Sequence, residues 1–93
     1  MEQDEEDRLR ALRSIEAELR EAMEQSRGKY EEAKIIFEEV STQAFQIGLD
    51  SAEGAHAIFK ATQHFNIALK QYSDALQRFT TFLLDRSLHP NRK

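Results

Sequence analysis

Cysteine and tryptophan are absent from this 93-residue chain, and it holds only 1 Pro and 3 Gly. Without cysteine there is no disulfide framework and no thiolate metal site, so a small secreted scaffold of the knotted kind is excluded. So few glycines and prolines leave little to interrupt regular structure. Long apolar runs are also missing: the longest, Ile35 to Phe37 and Phe82 to Leu84, are far too short to cross a bilayer. The opening Met-Glu-Gln-Asp-Glu-Glu-Asp lacks the basic and apolar regions of an export signal, so a cytoplasmic location is expected. A net charge of -4 gives no overall attraction to phosphate backbones or anionic lipid, and neither nucleic acid nor membrane is expected as a partner.

What is present in quantity is Glu, Ala, Gln, Leu, Lys and Arg, the residues that lose least freedom in a helix. No stretch alternates apolar and polar residues between turn signals, so the chain reads as all-α. From Leu9 to Ile47 apolar residues recur alternately three and four apart, through Leu12, Leu19, Met23, Tyr30, Ala33, Phe37, Val40 and Ala44. That is a heptad seam with Leu9 at a and Leu12 at d, and only Glu16 and Ser26 place polar groups on it. The phase does not slip at Gly28, which falls at f opposite the seam, so one helix over about residues 5–47 is expected. Gly48 then reads as a left-handed helix-ending glycine, and Asp50 with Glu53 as an N-cap and capping box. A second seam runs through Ile58, Thr62, Phe65, Leu69, Tyr72, Leu76, Phe79 and Leu83, giving a second helix over about 51–88 that Pro90 stops. A basic tail, 89–93, follows.

A turn as short as 48–50 makes the two helices antiparallel neighbours. The expected fold is therefore one domain, 1–93: a long, coiled-coil-like helical hairpin. In an antiparallel pair a faces d, and the tightest loop sets Phe37 opposite Phe65, Tyr30 opposite Tyr72, Met23 opposite Phe79, Leu19 opposite Leu83 and Glu16 opposite Arg86. Flanking positions then decide assembly. The g positions of both helices share one side, which reads Ile15, Ala22, Lys29 and Ile36, then Ala61, Ala68, Ala75 and Phe82. The e side reads Arg13, Arg20, Arg27, Lys34 and Ser41, then Phe59, Asn66, Ser73 and Thr80, and is expected to be wet. An apolar flank of this length marks a partner site, so the hairpin is expected to pair into a four-helix bundle as a homodimer. Its interface would be Ile15, Ala22, Ile36, Ala61, Ala68, Ala75 and Phe82.

Chemistry is sparse. Glu53 and His56 have the E-x-x-H spacing of carboxylate-bridged metal bundles, but both fall on outer positions of the heptad, f and b, where a capping Glu and a solvated His are the plainer reading. They are the weak metal candidates, and a metal-storage or redox bundle is the alternative function. The basic column Arg13, Arg20, Arg27 and Lys34 lies three or four residues from Glu16, Glu24, Glu31 and Glu38 and reads as a salt-bridged face. There is no phosphate loop and no nucleophile with a histidine base at a readable spacing, so no enzyme and no cofactor are expected. Phe45 and Phe59, near the hairpin tip, form a candidate landing patch for another protein. In outline the chain resembles small secreted hairpin proteins with a Trp-Xaa-Gly turn, and helical secretion chaperones. It has Gly48-Leu49-Asp50 at that turn, so the likeness is of outline alone and implies no function. The expected function is that of a non-catalytic, self-associating helical protein that serves as a structural or adaptor module and offers a bundle surface to a protein partner.

Overall fold

The computed structural model describes residues 2–48 and 51–88. It consists of two helices, α1 (Glu2–Ile47, 46 residues) and α2 (Ala52–Leu88, 37 residues), packed as a hairpin. At about 1.5 Å per residue, α1 alone accounts for the 69 Å long axis; the other extents are 19 and 14 Å. The helix begins at Glu2 rather than near residue 5, because Glu2, Asp4 and Glu5 in the first turn complement the positive end of the helix dipole. It passes unbroken through Gly28, where an added Cβ would meet nothing within 4 Å. The expectations for Asp50, Pro90 and the basic tail fall on residues outside those described.

The turn is built on a positive φ and one hydroxyl. Gly48 sits at φ 109° and donates its N–H to Ala44 C=O at 2.8 Å, the left-handed helix stop anticipated from the sequence. The cap of α2 is Ser51: its Oγ accepts the Gly54 N–H at 3.0 Å and donates to Gly48 C=O at 2.9 Å. Glu53 therefore occupies N2 of this cap, and Gly54 occupies N3. Gly54 is buried, and a Cβ there would lie 2.7 Å from Gly48 O and 3.0 Å from Ser51 Oγ. A side chain would not fit where the start of α2 crosses the end of α1.

The pairing register follows the seam. Tyr30 and Tyr72 stack at 5.6 Å between ring centroids, Phe37 and Phe65 at 5.5 Å, and Tyr30 also reaches Phe65 at 5.5 Å, so one aromatic ladder locks the middle of the hairpin. Toward the open end the Arg86 guanidinium donates to Glu16, which also accepts from Arg20 at 3.0 Å. The second polar seam residue, Ser26, bonds back to Ala22 and Met23 carbonyls of its own helix. With Glu16 level with Arg86, the first three turns of α1 extend beyond the described end of α2, and Leu9 on the seam is exposed there.

One feature of the packing departs from a symmetric seam. On α2 the g alanines turn inward, Ala61 at 8% and Ala68 at 5% exposure, while the a leucines Leu69, Leu76 and Leu83 stand 38–39% exposed. The d column, Ile58, Phe65, Tyr72 and Phe79, is half-buried between these two columns. Alanine offers no bulk to keep the backbones apart, so α2 rolls until its d column faces α1 squarely and the small g residues close the gap. Leu69, Leu76 and Leu83 are thus rim residues rather than hairpin core; Leu19, Met23, Tyr30, Phe37 and Val40 stay half-buried in the seam.

Candidate interaction surface

The roll of α2 redistributes apolar surface between the two flanks. On the g flank, Ala61 and Ala68 are covered within a single chain, and Ala75 and Phe82 are half-buried. Of the expected interface residues, only Ile15, Ala22 and Ile36, all on α1, stay exposed. Between the helices on this flank lie two shallow, open depressions of about 370 and 500 Å³, both bordered by Ile36, His64 and Ile67, with Lys29 at one end and Lys60 at the other. Such open hollows hold no enclosed cavity for a small ligand.

The e positions of the other flank are exposed as expected, with only Ser41 half-buried, but the a leucines beside them are exposed too, so the flank is not uniformly polar. Phe59, Thr62, Asn66, Leu69, Ser73, Leu76, Thr80, Leu83 and Ser87 are spaced alternately three and four apart along α2, which is a second heptad seam beside the first. Its leucines are the exposed ones named above, and the intervening Asn66, Ser73, Thr80 and Ser87 are small, polar and exposed. No charged residue occupies any of these nine positions. Sequence reasoning assigned the leucines to the first seam and so missed this strip; the signal available was the run of small residues beside them.

Along the α1 edge of this flank runs the basic column. Arg20 pairs with Glu16 and lays its guanidinium 5.6 Å from the Phe79 ring centre, and Arg27 pairs with Glu31 at 3.4 Å. Among the described residues, Arg13 and Lys34 make no ion pair. These pairs are exposed and each contributes well under about 1 kcal/mol.

Glu53 and His56 lie on the outside of the first two turns of α2, both exposed, and no group of three His, Asp or Glu side chains able to hold a metal occurs among the described residues. Phe45 and Phe59, the candidate landing patch, are 70% and 59% exposed. No buried side-chain oxygen or nitrogen among the described residues lacks a hydrogen bond, and no described helix is long and apolar enough to cross a membrane. No protein-family model, curated protein or solved structure matches the chain, so its geometry carries the functional reading alone.

Proposed function

We propose that this protein is a non-catalytic, self-associating helical module that pairs as a homodimer into a four-helix bundle and acts in the cytoplasm as a structural or adaptor element. One observation carries the reading. Among the described residues no side chain larger than alanine is buried, whereas twelve Leu, Ile and Phe side chains are 38–70% exposed. A lone hairpin so built gains little from burying apolar surface at about 25 cal/mol per Å², against an ordering cost of about 1–2 kcal/mol per residue.

Surface area points the same way. A compact monomer of 10.8 kDa exposes about 5,500 Å², and this hairpin exposes 7597 Å². The excess, about 2,000 Å², is more than twice the roughly 800 Å² that each partner buries in a stable interface. Its radius of gyration, 20.5 Å, likewise exceeds the roughly 12 Å of a compact domain of this length. Sedimentation equilibrium at micromolar concentration tests the reading: a species of twice 10.8 kDa is expected. A fully helical monomer would overturn it.

A further inference from the structure

The two helices differ sharply in charge. Thirteen acidic and seven basic residues lie in the 46 of α1, whereas α2 has only Glu53, Lys60, Lys70, Asp74, Arg78, Asp85 and Arg86 in 37. A helix with apolar or neutral surface on several sides is built to be surrounded. In the single hairpin α2 meets one neighbour, and its uncharged leucine strip is left open.

Resting on the self-association proposed above, we infer that a second copy of this chain docks on the Leu69, Leu76 and Leu83 strip, with α2 packed antiparallel against α2 of the partner and α1 beside α1. The strip itself sets the register. Its a and e positions are symmetric about a point between Asp74 and Ala75, so an antiparallel copy centred there places Leu76 on the partner's Ser73, Leu69 on the partner's Thr80 and Leu83 on the partner's Asn66. Every leucine meets a small residue, which is the knob-and-hole requirement for closely packed helices. The leucines suit this role because, at 38–39% exposure, each still presents side-chain surface to a partner.

Charge selects the antiparallel direction. A parallel pair would bring both copies of the acidic overhang Glu2, Asp4, Glu5, Glu6 and Asp7 to one end, while the antiparallel pair sends them to opposite ends and opposes the helix dipoles. Combined with the hairpin register, it also sets Arg20, Arg27 and Lys34 within one helical turn of the partner's Glu38, Glu31 and Glu24. The basic column thereby gains an acidic counterpart at the rim, a favourable but salt-screened contact. On the g flank, by contrast, the alanine file is already closed, and the exposed α1 positions are interrupted by Lys29 and Glu32.

Two variants and two thiols test this. Leu76→Asp, at a rim position, is expected to weaken dimerisation at least tenfold while circular dichroism stays helical, and Ile36→Asp to leave dimerisation unchanged. If Ile36→Asp dissociates the dimer and Leu76→Asp does not, the leucine strip is refuted and self-association stands. A monomeric wild type refutes the self-association reading itself. Because the chain has no cysteine, single thiols report direction independently of those variants. Ser73→Cys lies near the two-fold axis and should form an interchain disulfide under mild oxidation, whereas the two copies of His56→Cys lie about 55 Å apart at about 1.5 Å per residue and should not. Equal cross-linking at both positions overturns the antiparallel register.

Discussion

Replacing a helical glycine by alanine ordinarily stabilises a protein by about 1 kcal/mol, since alanine loses less freedom on folding. This chain has two helical glycines for which the structure assigns opposite signs. At Gly28 the added methyl meets nothing within 4 Å, so Gly28→Ala should gain the full effect, about 1 kcal/mol. At Gly54 the methyl would lie 2.7 Å from Gly48 O, a backbone atom held by the Ser51 amide at 3.2 Å and the Ser51 hydroxyl at 2.9 Å. Relief requires moving Gly48, whose φ of 109° already limits its alternatives. Overpacking costs about 1–3 kcal/mol, and each weakened hydrogen bond about 1 kcal/mol. Set against a propensity gain of about 1 kcal/mol, the net is a loss of about 2 kcal/mol. Thermal unfolding at one fixed protein concentration measures both variants, the concentration being fixed because dimerisation shifts the midpoint. For a chain of this size 1 kcal/mol moves Tm by roughly 4–8 °C, so Gly28→Ala should rise by about that much and Gly54→Ala should fall by roughly 10 °C. A Gly54→Ala protein as stable as Gly28→Ala would show that the helices do not cross as closely as described, and the account of the turn would fail.

Ser51→Ala removes the hydroxyl that accepts the Gly54 N–H, and urea unfolding should show a loss of about 1 kcal/mol; Ser51→Asp, which keeps an acceptor, should lose less. Phe65, with Tyr30 and Phe37 each 5.5 Å away, is the middle rung of the aromatic ladder, and Phe65→Ala should cost about 3 kcal/mol with a correspondingly lower urea midpoint. For Glu16 and Arg86, a double-mutant cycle with Glu16→Gln and Arg86→Met should give a coupling of about 0.5–1 kcal/mol, because both side chains stay partly solvated. Repeating the cycle in 1 M salt should reduce that coupling further; a value unchanged by salt would mean that packing of the Arg86 stem, not charge, joins the two.

How much of this was legible beforehand differs from one element to the next. The unbroken α1 followed from a heptad phase that runs past Gly28 without slipping. The stop at Gly48 followed from glycine's freedom to take positive φ. Pairing of Tyr30 with Tyr72, Phe37 with Phe65 and Glu16 with Arg86 followed from the short loop and the seam together. Ser51 was passed over as the cap because Asp50 stands beside it with equal capping chemistry, and a residue string does not say which of two neighbours presents its oxygen to the N3 amide. Gly54 carried no signal at all: only the crossing of α2 over Gly48 makes a Cβ there intolerable.

Local rules thus determined everything that depends on one helix at a time: which segments are helical, where they stop, and which column of each is apolar. The rotation of α2 about its own axis depended on two helices at once. Heptad letters weight a and d equally, but the backbones settle where the bulk of the intervening side chains lets them, and alanines at 61 and 68 let α2 roll inward. That roll, set by side-chain volume across the contact, decided which residues were consumed inside the hairpin and which leucines were left at its surface.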